Sequence, residues 1–465
     1  MTRASGSRPR VGIVGLGYMG LATGLGFAAH GLRVTGFDVK EEIREAVRRG
    51  EAPYHEPGLD RVLRAQRKAG RLGVAETTEE LVRTSEAIFL CVPTPSRPSG
   101  RIDLRPLRQS VVDVARALRP LSGYRLVVVK STVVPGTTES IVTPLLRRRS
   151  GRPPELLGVA SNPEFLAEGS MVHDALSPER IVVGVADSRA LAVLHRAYRP
   201  FRAPLIALTP SGAELVKYSA NAFLALKVSF ANEIARLSDR LGANVDEVME
   251  AVGRDARIGP RFLSAGPGFG GSCFAKDLKA LTVRSRDLGV RLRSTEVALR
   301  INAEQLAYVR GVIRSAVGPL SGKRIALLGL SFKAGTDDVR ETRALPIAAG
   351  LVEEGARVQG HDPVAIDNFR SLWQTTRISS RGRLDFCTTV EETLLGADAA
   401  ILQADWPEYS RWPAAWTSLM RRPVLVDLRR AVDPARARRA GLMVIGIGAG
   451  TGQRSSVPAT SEPMA

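Results

Sequence analysis

Short runs of apolar, β-branched residues alternate with helical-period stretches along the first part of the chain. Val11–Val14 opens a strand, GLGYMG breaks it, and a helical stretch follows to about His30. LRVTGFD then reads as a second strand ending at Asp38. AIFLCVPTP (87–95), RLVVVKST (125–132), LLGVASNPE (156–164) and RIVVGVA (180–186) repeat the form, each an apolar run closing on polar residues. Helical segments lie between several of them. Such alternation predicts a parallel sheet with helices on both faces.

Residues 211–241 break the rhythm. SGAELVKYSANAFLALKVSFANEIARLSDRL has no internal proline and keeps helical apolar spacing. Ser211 followed by Glu214 predicts a capping box, and Gly242 a stop. A helix of that span is about 45 Å long, enough to bridge two domains. More helix is expected around 244–252, 275–289 and 294–317. After Gly322 the strand–helix alternation restarts with KRIALLGLSF, a helix near 343–355, ARVQGHDP, AAILQAD and PVLVDLR. The second α/β domain is not a plain copy of the first, because GLSFKAGTDD lacks the glycine fingerprint. The fold class expected is α/β: doubly wound parallel-sheet domains at 10–205 and 318–447, joined by helices at 206–317 that include the long connecting helix. Residues 1–9 read as a disordered lead and 448–465, rich in Gly, Ser, Pro and Thr, as a disordered tail.

A chain of 465 residues exceeds one core, in keeping with that division. No apolar run is long enough to cross a bilayer. Cys91, Cys273 and Cys387 are odd in number and far apart, which argues against a disulfide framework and fits a reducing cytosol. The net charge is +19, mostly from arginine. The arginines are spread rather than blocked, aromatics are only 5%, and no nucleic-acid motif appears, so no nucleic-acid partner is expected. Nor is membrane insertion or a metal site. Part of the charge suits an anionic substrate.

GLGYMG places Gly15, Gly17 and Gly20 at GxGxxG spacing between a strand and a helix, and the next strand ends in an acid, Asp38. The glycines permit a tight turn, close approach of a pyrophosphate and helix–strand packing; Asp38 can accept from a ribose hydroxyl, which favours NAD over NADP. Three further strand ends carry polar groups: Thr94, Ser131 with Thr132, and Asn162 with Glu164. Any one suits a turn or cap, but three together mark a site. If NPEFLAEG is helical, Glu164 and Glu168 share a face; Lys217 and Asn221 stand in the same relation on the long helix.

GPGFGGSCFAKD (266–277) holds a cysteine among glycines. A cysteine is more often inert and buried. At a helix start with Lys276 one turn on, the thiol of Cys273 has a lowered pKa, and Asp277 falls on the same face.

Together with PYHEPGL (53–59), STVVPGT, NPEFLAEG, LVKYSANAFLALKVSFANE and GLSFKAGTDDVRET, these motifs resemble, in order and rough spacing, the UDP-glucose/GDP-mannose dehydrogenase family over about residues 10–445. NPEFLAEG followed by SPERIVVG, and Phe after the cysteine, are more similar to the UDP-glucose branch. The resemblance implies two Rossmann-like domains joined by a helical region that dimerises, and oxidation of a C6 alcohol to a carboxylate with two NAD. It implies Cys273 as nucleophile, with Thr132, Glu168, Lys217, Asn221 and Asp277 at active-site positions. Cofactor contacts implied are Gly15, Gly17, Tyr18, Met19, Gly20, Asp38, Thr94, Thr132, Glu168, Lys276 and Arg340. On the substrate side it implies Glu164, Phe165, Leu166, Glu168, Lys217 and Asn221. Further substrate positions are Gly270, Lys333, Arg429 and the loop of Phe262, Leu263, Ser264, Ala265 and Gly266, with Arg257 reaching the neighbouring subunit's substrate. The family usually has Pro where Ala275 stands and Gly where Pro93 stands, and Lys40 and Arg44 flank the place of a basic cofactor contact.

Oxidation by four electrons at one carbon needs the aldehyde retained. A thiolate adds to it as a thiohemiacetal, which becomes a thioester that water hydrolyses. Lys217 and Asn221 suit the oxyanion; Asp277, Thr132 and Glu168 are candidate bases. The cleft between domains is expected to hold the substrate. Two alternatives are oxidation of another nucleotide-sugar, such as UDP-N-acetylmannosamine or GDP-mannose, and a basic NAD-sensing or nucleic-acid-binding protein.

Overall fold

The structure is a computed structural model that describes residues 7–379 and 384–449. Residues 1–6 of the expected lead and 450–465 of the expected tail lie outside the described residues; within the described parts Arg8 donates to the His30 carbonyl at 3.0 Å and Gly448 accepts the Val245 amide at 2.9 Å. Two compact units emerge: one runs up to Ala220 and includes Lys279–Arg291, and the other combines Asn221–Leu278 with the chain from Leu292 onward.

The first unit is built on eight strands: β1 (Val11–Val14), β2 (Val34–Phe37), β3 (Leu72–Val74), β4 (Ala87–Leu90), β5 (Arg125–Val129), β6 (Leu157–Ser161), β7 (Ile181–Val185) and β8 (Leu205–Leu208). Their order is β3-β2-β1-β4-β5-β6-β7-β8, parallel except for the β6–β7 pair. Successive side chains on a strand point to opposite faces. Phe89, Leu126 and Val128 enter one core layer, while Ile88, Leu90, Val127 and Val129 enter the other. Helices cover both faces, which is why these strands are continuous apolar runs rather than alternating ones. β3 and β8 have no counterpart among the expected strands. β3 holds three residues including a glycine, and β8 is an edge strand with Ile206 exposed.

The second unit carries β9 (Arg324–Leu328), β10 (Arg357–His361), β11 (Leu384–Phe386), β12 (Ala399–Leu402), β13 (Val424–Asp427) and β14 (Met443–Gly446), all parallel, in the order β11-β10-β9-β12-β13-β14. The order is that of a doubly wound dinucleotide-binding sheet. Ile325, Leu327, Ile401 and Val426 face a core shared with Ala231, Ala235, Val309 and Ile313 from the central helices, whereas Leu328, Leu402 and Leu425 face an aromatic layer of Trp406, Tyr409, Trp412 and Trp416.

Helices Pro210–Leu241, Val245–Gly253, Phe274–Asp287 and Arg293–Val317 supply the central region. The long helix stops at Gly242, whose φ is +74°. Its start differs from the capping box. The helix begins one residue earlier, at Pro210, and Thr209 accepts the Gly212 amide. Glu214 instead reaches out to the Gly136 and Thr138 amides and the Thr138 hydroxyl. Among the described residues no helix is long and apolar enough to cross a membrane.

Candidate active site

The glycine turn joins β1 to helix Tyr18–Ala29. Gly15 has φ +95°, and a Cβ there would lie 2.6 Å from the Cys91 carbonyl oxygen; a Cβ on Gly20 would run into the Gly15 carbonyl. These two glycines are required by the protein's own packing. A Cβ on Gly17 would meet nothing within 4 Å. Gly17 is also the N-cap of the helix, with no side chain capping the amides behind it. Open space at a helix N-terminus is what a pyrophosphate occupies. Asp38 follows β2, and its carboxylate accepts the Leu16 amide at 2.7 Å and the Lys40 amide at 3.0 Å. It is thereby fixed at the edge of the turn. Arg44 donates to the Asp38 carbonyl and pairs with Glu76. The residues present fit NAD.

At the ends of β4, β5 and β6 the first unit gathers a polar cluster. Thr94 donates its hydroxyl to the Thr132 carbonyl at 2.8 Å, and Ser131 donates to the Val92 carbonyl at 2.6 Å, tying two strand ends together. Glu164 is buried. Lys217 Nζ lies 2.9 Å from its Oε1, the Thr132 hydroxyl lies 3.5 Å from the same oxygen, and the Leu166 amide donates to Oε2 at 2.8 Å. Burial pushes the Glu164 carboxyl up, but the Lys217 charge and hydrogen bond, the Leu166 amide and the Lys130 charge outweigh it and hold the group below its ordinary value. Phe165 stacks under Arg180 and lies near Lys217.

NPEFLAEG is not helical. Residues 162–167 are loop, Glu168 sits in a turn, and the helix starts at Met171. Glu164 and Glu168 therefore do not share a helix face, and Glu164 is the carboxylate engaged by Lys217 and Thr132.

The second unit holds the cysteine. The Cys273 carbonyl accepts the Asp277 amide at 2.8 Å, so Cys273 is the N-cap of helix Phe274–Asp287, partly exposed, with Ser272 Oγ 3.5 Å from its sulfur. Asp277 is buried between two donors: Asn221 Nδ2 at 2.6 Å and Lys276 Nζ at 2.6 Å. Three buried carboxamides fix the loop leading to the cysteine. Asn232 accepts the Gly266 amide and Gln305 donates to the Gly266 carbonyl. Asn302 both accepts from the Phe269 amide and donates to its carbonyl, as a paired strand would. The glycines let the loop press on the second α/β layer. A Cβ on Gly270 would sit 2.5 Å from the Glu341 carbonyl oxygen, and one on Gly271 2.8 Å from the Phe332 ring. Polar residues of this kind, far apart in sequence, left no local signal.

Among the other expected substrate residues, Leu263 and Ala265 are buried, while Phe262 is exposed with φ +65°, a conformation bulky residues avoid. Arg429 is held by the Gln403 and Phe332 carbonyls, and burial lowers its pKa. Lys333 follows Phe332 in the loop after β9. Arg340 forks onto Asp338, and Arg257, with a highly exposed side chain, forks onto Asp255.

Three family models match the chain: the NAD binding domain of the UDP-glucose/GDP-mannose dehydrogenase family over residues 9–202, its central domain over 211–304 and its UDP binding domain over 326–434. A UDP-glucose 6-dehydrogenase of Rhizobium meliloti is 38% identical over 448 residues, covering 94% of this chain and 99% of that one. Another, from Haloferax volcanii, is 38% identical over 436 residues, covering 92% and 98%. The solved UDP-glucose dehydrogenase of Pyrobaculum islandicum superposes with a TM-score of 0.87 at 38% identity, over 97% of this chain and 100% of that one. A UDP-D-ManNAc dehydrogenase of Pyrococcus horikoshii gives 0.81 at 28% identity, over 95% and 99%.

Proposed function

The chain belongs to the UDP-glucose/GDP-mannose dehydrogenase family, and from that premise we propose that it oxidises the C6 alcohol of UDP-glucose to the carboxylate of UDP-glucuronate. NAD, when bound, supplies the hydride acceptor for each of the two oxidations. Gly15, Gly17 and Gly20 shape its turn and Asp38 takes its ribose; Tyr18, Met19 and Thr94 flank it.

The observation that carries the reading is Cys273 at the first turn of its helix, where amide dipoles favour the thiolate. The thiolate adds to the C6 aldehyde and holds that carbon as a thiohemiacetal before the second oxidation and as a thioester after it. Water cleaves the C–S bond of the thioester, which returns the thiolate and leaves the carboxylate. Lys217 and Asn221 steady the oxygen that carries negative charge at each stage. Thr132 with Glu164 takes part in removing the first proton, and Asp277 activates the hydrolytic water, with Glu168 a further base. Lys333 and Arg429 meet the diphosphate, as point charge and fork respectively.

The same proposal divides the labour as NAD on 10–205, the cysteine segment within 206–317 and the UDP-sugar on 318–447, in line with the three family models. It includes a cytoplasmic enzyme, supported by three free cysteines. It also includes a homodimer. Phe223, Phe230 and Leu237 recur every seven residues on the long helix and are 63%, 46% and 53% exposed, an apolar stripe that fits a second copy of itself.

NADH formed per UDP-glucose consumed tests the activity. Two supports it, one means release at the aldehyde, and turnover only with UDP-N-acetylmannosamine or GDP-mannose moves the enzyme to another branch.

A further inference from the structure

The chain uses lysine at only nine positions among its 66 basic residues, and Lys130 is, with Lys217, one of two that are buried. It follows β5 directly, next to Ser131 and Thr132. Its Nζ donates to Asn162 Oδ1 at 3.1 Å. Tyr198 donates its hydroxyl to the same oxygen, and Asn162 Nδ2 donates to the Val182 carbonyl at 2.7 Å, so the amide is locked with its oxygen toward the lysine. Among the described residues no carboxylate lies within ion-pair distance of Lys130. An ammonium buried without a directly bonded counterion is costly and needs a reason.

The groups that face it are Cys91, Tyr198, Glu164 and Lys217. Burial pushes the Cys91 thiol up to about 12 and the Tyr198 phenol further, so both are neutral. What remains is one carboxylate, Glu164, between two ammonium groups. Burial brings Lys130 down to about 8, against which the Glu164 charge acts to keep it protonated, while the Lys217 charge opposes it.

We propose that Lys130 is a positioning residue for the oxidation, the second cation that keeps Glu164 ionised while the Lys217 ammonium serves the substrate oxygen. This rests on the reading that Glu164 and Lys217 belong to the reaction. The Lys217 ammonium has three N–H donors but a single charge, which Glu164 and a developing oxyanion would share. As an oxyanion draws on that charge, the buried carboxylate loses part of what offsets its burial, and burial favours the protonated form. Lys130, anchored by Asn162, stays in place as the compensating charge.

The test is the pH dependence of kcat/KM for UDP-glucose in the full-length enzyme with saturating NAD. In Lys130→Met the apparent pKa of the acid limb should rise by about one unit and kcat at pH 7 should fall at least about tenfold. KM for NAD should stay within about twofold, and Tm should hold or rise because an unpaired buried charge is removed. Lys130→Arg keeps the charge and should restore the acid limb. An unshifted acid limb in Lys130→Met with a lowered Tm would overturn the proposal, since Lys130 would then only fasten Asn162. Lysine-selective NMR of the unaltered protein needs neither variant. A Lys130 amine titrating near 8, and lower still in Glu164→Gln, supports the coupling, while titration near about 10.4 sinks it. Absence of any NADH formation from UDP-glucose by the unaltered enzyme would count against the functional reading instead, with the lysine titration still deciding the link to Glu164.

Discussion

Asn221 donates its carboxamide to Asp277 across 2.6 Å, and Lys276 holds the other oxygen of the same buried carboxylate. Neither contact leaves Asp277 free to wander, as a group that aims a water must not. Asp277→Asn preserves the shape but removes the base. Hydrolysis should become limiting and kcat should fall by about 10²–10⁴. Two NADH per active site should appear in a burst, followed by slow turnover, and intact-protein mass should show the UDP-glucuronyl adduct on Cys273. A uniform loss of rate with neither burst nor adduct would take Asp277 out of the hydrolytic step.

Cys273→Ala removes the sulfur from a partly exposed N-cap whose backbone contact runs through its carbonyl, so the fold should be unaffected. Carboxylate formation should cease, because nothing then holds the aldehyde for the second oxidation. Chromatography of the products checks this; UDP-glucuronate at the normal rate would exclude covalent catalysis.

The two glycines after the strand separate packing from binding. A Cβ at Gly20 meets the Gly15 carbonyl, and one at Gly17 meets open space. Gly20→Ala should lower Tm by several degrees. Gly17→Ala should leave Tm unchanged and raise KM for NAD at least about tenfold, since the new methyl fills the phosphate's place. Equal thermal effects of the two would mean that Gly17 serves only the turn.

Asp38 shows why some of the site was legible and some was not. The turn GLGYMG and its acid lie on a fixed local spacing, so chain order alone points to them. The second sheet repeats the device with less of its spelling. Gly329, at φ +90°, stands as Gly15 does, and Asp362 takes the Leu330 amide at 2.8 Å as Asp38 takes that of Leu16. Ser331 stands in place of the second glycine and, with Trp406, donates to the same Asp362 oxygen that takes the Leu330 amide. The duplicated sheet therefore went unmarked by the motif. Ser211 and Glu214 have the spacing of a capping box, yet Glu214 ties down the Gly136–Thr138 turn; the same two residue types serve a local cap and a distant anchor equally well. The pairing of Lys217 with Glu164 and the carboxamides around Gly266 and Phe269 join residues far apart in the chain, and no periodicity records them.

Glu164 and Lys217 are both almost wholly buried, so their pairing is expressed in stability. Glu164→Gln should cost about 3–5 kcal/mol at pH 7, because it removes the carboxylate paired with a buried ammonium, and adding Lys217→Met should recover much of it. The pH dependence follows from the lowered folded pKa. The stabilisation is present above the ordinary value of 4.5 and is lost as pH falls through the lower folded value. Urea midpoints measured from pH 6 to pH 3 should therefore drop more steeply for the unaltered protein than for the double variant. Parallel curves would mean that the pair adds nothing to acid stability.

The exposed stripe of the long helix sets the last test. Phe223, Phe230 and Leu237 recur at the seven-residue spacing of helices that pack side by side, and Leu241, 71% exposed, extends the row at its end. Such a row is self-complementary under a two-fold axis, so one change alters the contact twice. Phe230→Asp should place two like charges in that contact and shift the mass by light scattering from about twice 50.0 kDa to 50.0 kDa, with unchanged far-UV circular dichroism. Arg257 is expected to reach the neighbouring copy's substrate. The monomer should therefore also lose affinity for UDP-glucose, by about tenfold for one lost charged contact, while its KM for NAD is retained. A variant that stays dimeric would assign the stripe to another partner, and a monomer of full affinity would confine Arg257 to its pairing with Asp255.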